Sequence, residues 1–407
     1  MNASAPTAWV IGTFDTKAEE LLYLAGLLRG AGLNAVTVDI GTRSDDTRAD
    51  LSASLVASHH PRGAAAIFEA DDRGLAVTAM GEALNALVGK RLAAGEIDGM
   101  LGVGGSGGTA MIAPAMRLLP IGRPKMLITT MASGNMAPFV DVVDLTAMYP
   151  VTDIAGLNRL SRTILANAAH ALAGMLLHRA PANSDDDKPA LAVTMFGVTT
   201  PCVQQVRAGL QDDFDVQVFH ANGAGGRTME ALASAGMLQA IVDLTTTEVS
   251  QNLAGGVCDA GPDRLAAAAR HGLPWIGSLG ALDMVNWGAP DTIAERYRQR
   301  LFHIHNAHVT LMRSTADELI AAGKRIAERL NASAGPVRLL LPLGGLSMLD
   351  APGQPFHDPQ ANQALFDTLA RDFVETGTHR LLRIPHHIND AAFAGVVVAQ
   401  VREVLNG

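Results

Sequence analysis

Short apolar, β-rich runs alternate with segments of helical periodicity from one end of the chain to the other, and this alternation leaves few folds open. In the first half, strands are expected at 8–12, 35–40, 65–68, 99–103, 125–130 and 142–145, and helices over 17–29, 75–94, 110–118 and 156–177. The run Ala180 to Pro189, APANSDDDKP, then interrupts the pattern with proline, small residues and charge and offers nothing apolar to bury. After it the same grammar restarts. Strands are expected at 191–196, 216–220, 240–244, 275–278, 338–342 and 380–384, with helices ending near 210 and over 314–330, 362–375 and 390–405. A chain of 407 residues with 48% hydrophobic content exceeds what one core usually organises. The expectation is an α/β protein of two doubly wound, Rossmann-like domains, 1–180 and 190–407, joined by a linker at 181–189. Their mainly parallel sheets are expected to face an interdomain cleft, where the ligands of open α/β sheets gather.

Charge narrows the class of partner. Only 17% of the residues are charged and the formal net charge is −9, so no basic face is available to overcome phosphate repulsion and a nucleic-acid partner is disfavoured. No apolar run reaches membrane-spanning length, and no basic region followed by an apolar one marks export. Cys202 and Cys258 are too few for a disulfide framework and lack zinc-type spacing. The expected setting is the cytoplasm, and the expected partner a small anionic ligand.

The ligand signal is strongest at Gly102-Val-Gly-Gly-Ser-Gly-Gly-Thr109, a glycine run between a strand-like and a helix-like segment. Without Cβ atoms the backbone passes close to a phosphate, with the amides of the turn and the helix dipole directed at it. The run contains G-x-G-x-x-G, yet it does not follow the first strand, and the next strand ends in threonines rather than an acid. Nor does Gly-Lys-Ser/Thr follow. Phosphate would therefore be held by the amides of Gly104, Gly105, Gly107 and Gly108 and by the hydroxyls of Ser106 and Thr109; the alternative is a tight turn in a parallel sheet.

Other candidates cluster at expected strand ends. Asp15 and Lys17 lie where the first strand meets its helix, placed either to meet phosphate or to cap the helix and remain solvated, and Asp39 ends the second strand where a ribose-binding acid would stand. In the second half Asn222-Gly-Ala-Gly-Gly-Arg-Thr228 repeats the glycine device, and Glu248 follows the strand ending near Leu244. Glu248 reads either as a general acid/base in the cleft or as a glutamate facing a helix dipole. Cys202, in a helix's first turn, reads as a nucleophile or as a small buried hydrophobe. His303 and His305, and the pair His386-His387, invite a metal reading with no local acid to complete it.

The segments IGTFDTKAEEL, GVGGSGGTAM, AMRLLPIGRPK, MASGNMAPFV, VTDIAGLNRLSR, FGVTTPCV, FHANGAGGRTME, DLTTTEVSQNLAGG, ALDMVNWG, VTLMRS and HHIND run in order through nearly the whole chain. Together they resemble the two-domain, mostly bacterial family related to the ATP-binding N-terminal region of the plant tobamovirus-resistance protein. The resemblance implies two α/β subdomains, ATP with Mg2+, and a homodimer or higher homo-oligomer. Carried over by motif position, it places the ATP site at Thr13, Asp15, Lys17, Asp39 and Gly104 through Thr109. It also implies that a TIM-barrel-like domain accompanies the plant proteins, so a separately encoded TIM-barrel partner is expected here. The function expected is nucleotide binding in small-carboxylate or sugar-acid metabolism. The alternative is an ATP-independent hydrolase or lyase acting on an anionic metabolite in the cleft, with Glu248 as its acid/base.

Overall fold

A computed structural model describes residues 5–43, 45–179 and 188–406, so most of the expected linker lies outside the described residues. The chain divides into two compact units, Met1–Ala182 and Asn183–Gly407, each α/β and Rossmann-like.

The first unit runs β1 (Thr7–Gly12), α1 (Phe14–Gly30), β2 (Asn34–Asp39), α2 (Ala53–Ala57), α3 (Ala65–Phe68), α4 (Arg73–Ala93), β3 (Gly99–Gly104), α5 (Ser106–Arg117), β4 (Lys125–Thr129), α6 (Ala137–Val140), β5 (Thr146–Met148) and α7 (Arg159–Leu177). Its sheet is wholly parallel in the order β2-β1-β3-β4-β5. Strand order reverses between β1 and β3, which opens a crevice at their C-terminal ends. Parallel strands are buried on both faces, and β1 does this residue by residue. Trp9 and Ile11 pack with α4 and α5 residues such as Leu84 and Ile112, whereas Ala8 and Val10 pack with Leu21 and Leu24 of α1 and Leu172 of α7. Gly102 permits this closeness: a Cβ there would stand 2.6 Å from Ile112 Cγ2.

The second unit runs β6 (Ala190–Met195), α8 (Thr200–Leu210), β7 (Asp215–His220), α9 (Ala224–Ser234), β8 (Ala240–Thr245), α10 (Thr247–Ala254), α11 (Ala266–His271) and β9 (Trp275–Gly280). It continues through β10 (Met284–Trp287), β11 (Phe302–Asn306), β12 (Val309–Arg313), α12 (Ala316–Asn331), β13 (Val337–Pro342), α13 (Pro359–Asp372), β14 (His379–Ile384) and α14 (Ala391–Asn406). Six parallel strands order as β14-β13-β9-β8-β6-β7. Counted within the unit, its first four strands stand in the same 2-1-3-4 order as those of the first unit, so both sheets reverse direction beside their own first strand. Helices α8 and α14 cover one face through Val203, Val206, Phe393 and Val397.

Three expectations fail locally. Residues 65–68 form a helix, α3, rather than a strand. The strand expected at 142–145 forms later, as β5. A three-stranded antiparallel sheet, β10-β12-β11, has no counterpart in the sequence reading.

Candidate functional site

The turn after β3 enters α5 with Gly105 as N-cap, and no side chain caps that helix. Helix α1 differs: its N-cap Thr13 makes no side-chain capping bond, but its first amide, that of Phe14, donates to Asp39 Oδ1 at 3.0 Å, and the helix kinks at Lys17. Both first turns, together with the first turn of α4, line one cavity of about 310 Å3 formed by Thr13, Asp15, Thr16, Lys17, Thr42, Arg43, Arg73, Val77, Met111 and residues 104–108. The cavity lies at the β1/β3 reversal. Helix N-termini carry unpaired amides and a positive partial charge, so their convergence makes an anion site.

The side chains reinforce it. Lys17, Arg43 and Arg73 set three cations against the one carboxylate of Asp15. Among the described residues neither arginine has an acidic partner, and Lys17 Nζ reaches only Thr16 Oγ1 at 3.4 Å. The glycines divide by what surrounds them. At Gly104 a Cβ would stand 2.8 Å from Gly108 Cα, so the fold itself requires glycine. At Gly107 nothing beyond the adjoining turn of its own helix lies within 4 Å of such a Cβ and the backbone is not left-handed, so this side of the turn is open toward the cavity.

Thr13, Asp15, Lys17, Gly104, Gly105, Ser106, Gly107 and Gly108 thus come together around one cavity, and two expected members do not. Asp39 is fully buried, its Oδ1 accepting the amides of Phe14 at 3.0 Å and Gly41 at 2.8 Å and its Oδ2 that of Asp46 at 3.4 Å. Burial pushes its pKa up against the pull of those amides. Asp39 ties the β1–α1 and β2 loops together rather than facing a ribose. Thr109 is likewise buried, its hydroxyl 2.6 Å from that of Thr129.

Sequence reasoning missed Thr42, Arg43 and Arg73. Arg73 carried a readable signal. It is the first residue of α4, directly after the capping Asp72, where a cation opposes the helix dipole at a cost of ~0.3–1 kcal/mol. A residue held against its local preference invites a functional explanation.

In the second unit the glycine turn is already filled. Glu248, wholly buried, accepts the amides of Gly223 at 2.7 Å and Gly226 at 3.1 Å through Oε1, and its Oε2 meets Arg264 Nε at 2.7 Å. Arg264 in turn grips both oxygens of Asp243, at 2.7 and 2.8 Å. A Cβ on Gly226 would stand 2.1 Å from Glu248 Oε2, so that glycine serves the internal carboxylate. The acid/base expectation for Glu248 is therefore corrected. Both of its oxygens are committed to the fold, and it lines neither this cavity nor the second one described below.

Cys202 is fully buried, and burial pushes its thiol up to about 12, which removes the thiolate a nucleophile requires. Among the described residues no group of three or more His, Cys, Asp or Glu side chains could hold a metal ion. His387 Nε2 instead contacts Ser347 O at 2.9 Å, and His386 Nδ1 lies 4.0 Å from Asp390. No helix among the described residues is long and apolar enough to cross a membrane.

Comparison with known proteins agrees with this architecture. Residues 6–181 match the N-terminal domain and residues 188–405 the C-terminal domain of an uncharacterised protein family, UPF0261. The chain belongs to the UPF0261 family. A UPF0261 protein of Rhizobium meliloti is 49% identical over 398 residues, covering 98% of this chain and 99% of its own. A second UPF0261 protein, from Clostridium tetani, is 40% identical over 400 residues and 98% of each chain. The ToMV resistance protein Tm-1(GCR237) of Solanum lycopersicum is 37% identical over 423 residues, taking in 99% of this chain and 56% of the tomato protein. The resemblance read from the ordered segments is thus met by family membership along both domains.

Proposed function

We propose that this UPF0261 chain binds a nucleotide through its phosphates, ATP with Mg2+, at the β1/β3 reversal of its first domain. The observation that carries the reading is the meeting of the uncapped N-terminus of α5, the first turn of α1 and three cationic side chains at one cavity beside an open glycine backbone. Amides at the start of α5 would take terminal phosphate oxygens, and Lys17, Arg43 and Arg73 would balance their charge. Val77 and Met111 supply an apolar wall. Mg2+, when bound, neutralises part of the polyphosphate charge, and Asp15 is the carboxylate at the cavity able to share in holding it. At about 310 Å3 the cavity stands at the lower end of ligand pockets, a size that suits the phosphates better than a whole nucleotide. Work on a small carboxylate or sugar acid, a homodimeric or larger assembly and a separately encoded TIM-barrel partner belong to the same reading and rest on the family resemblance alone.

Thermal melts of the full chain test it. ATP with Mg2+ at about 100 times its dissociation constant is expected to add ~2.7 kcal/mol to the stability of the domain that binds it. Inorganic triphosphate should reproduce much of the shift, and NAD should produce less. No shift with any phosphate compound would overturn the reading.

A further inference from the structure

The second domain has a larger cavity, about 630 Å3, at the C-terminal ends of β6 and β7 beneath the β11–β12 hairpin. Its chemistry is the reverse of the first. No Asp, Glu, Lys or Arg lines it. Its apolar wall comes from Val198, Val309, Leu311 and Met348. At one side the rings of Phe196 and His220 stack with centroids 5.1 Å apart and planes 20° from parallel. Hydrogen-bonding side chains stand around this apolar body: Asn222, Asn286, His303 and His305. Asn286 is only 4% exposed and commits its Oδ1 to Gln251 Nε2 at 3.0 Å, while its Nδ2 has no hydrogen-bond partner among the described residues. That amide nitrogen, on a residue that lines the cavity and not sealed in the core, is placed to donate to a ligand.

We propose that this cavity is a second ligand site, for an aromatic or heteroaromatic organic molecule carrying at most one negative charge. A polyphosphate would enter with several charges and meet no cation, a cost that apolar contact does not offset. A flat ring, in contrast, can extend the Phe196–His220 stack and bury its faces on the aliphatic wall, with the asparagines and histidines reading its polar edge. The glycine turn of this domain is no rival site, since Glu248 already occupies its amides.

The probe is 1-anilinonaphthalene-8-sulfonate, which carries a flat naphthalene ring system and a single negative charge, titrated by fluorescence into the folded full chain. Saturable binding with one site per chain is expected, undisturbed by inorganic triphosphate. Val309→Trp should fill the cavity and weaken the probe at least about tenfold while leaving the melting temperature near that of the wild type. Phe196→Leu keeps the apolar volume but removes the stacking ring, and should weaken binding several-fold. Absence of saturable binding in the wild type, or wild-type affinity in folded Val309→Trp, would overturn the proposal. Should Val309→Trp not fold, Phe196→Leu decides: unchanged affinity there overturns it too.

Discussion

The two domains wind their first four strands in the same order and carry the same device, a glycine turn opening a helix, yet they fill it differently. In the first domain the turn at 104–108 borders a cavity, and cations from α1, α4 and the loop after β2 gather with no acidic ion-pair partner among the described residues. In the second, the turn at 223–226 receives a carboxylate from its own chain, and Arg264 neutralises that carboxylate. The contrast shows why a glycine-rich turn does not by itself imply a ligand. The amides require an anion in either case, and the fold can supply one internally. What distinguishes the open cradle is a surplus of positive charge and a glycine whose missing Cβ would meet nothing beyond the adjoining turn of its own helix.

Glu248→Ala attacks the filled cradle and carries the largest expected effect. Arg264 keeps its pairing with Asp243, but two buried amides lose their acceptor, so denaturant unfolding should show a loss of about 1–3 kcal/mol per amide in the second domain, with nucleotide binding by the first unchanged. Sulfate or phosphate should restore more stability to this variant than to the wild type, because an external anion can re-enter the vacated turn. Failure of that rescue would mean that the internal carboxylate is not standing in for an anion.

The open cradle is probed by a glycine pair. Gly107→Val should reduce nucleotide affinity at least about a hundredfold in calorimetry while circular dichroism and melting remain near wild type. Gly104→Ala should instead lower stability, since its Cβ would press on the backbone of Gly108 and Thr109. Equal behaviour of the two variants would remove the distinction between a ligand glycine and a packing glycine.

The second domain also buries acids against one another. Burial, and then the neighbouring Asp350, push Asp283 up to about 7, and its Oδ1 has no hydrogen-bond partner. The folded state therefore holds a proton that the unfolded chain releases near pH 4, and stability falls as pH rises from about 4 through about 7. Asp283→Asn should flatten that slope, matching wild type near pH 4 and exceeding it at pH 8 by ~1–3 kcal/mol in denaturation series. The smallest effect is expected for Arg73→Ala: about tenfold weaker nucleotide binding, most visible at low salt, with an apo protein no less stable because a cation has left a helix N-terminus.

Much of this comparison was legible in the sequence, and the failures have physical causes. Alternation located all the parallel strands save β5, since runs such as Leu191–Met195 are buried on both faces and read as continuous apolar segments. Ala65–Phe68 misled because four apolar residues carry no period that separates strand from helix. The β11–β12 hairpin turns through Asn306-Ala307-His308, without the Asn-Gly or Asp-Gly that announces such turns, and its histidines offered only an incomplete metal signal beside an ordinary hydrogen-bonding one. At the site, the glycine turn and Lys17 were visible because their chemistry is local. Arg43 was not, and the cation at the start of α4, Arg73, marked an oddity without saying which cavity it serves, since only the winding of β1 beside β3 brings both to it. Asp39 and Glu248 were correctly placed at strand ends and given the wrong task, because sequence position does not reveal which backbone amides will consume a carboxylate.

Hydrogen–deuterium exchange on the full chain, with and without ATP and Mg2+, tests the central contrast most directly. Slowed exchange is expected in peptides spanning 13–17 and 104–109, with those spanning 223–226 unchanged because Glu248 already holds their amides. Protection appearing at 223–226, or none at 104–109 under saturating nucleotide, would contradict it.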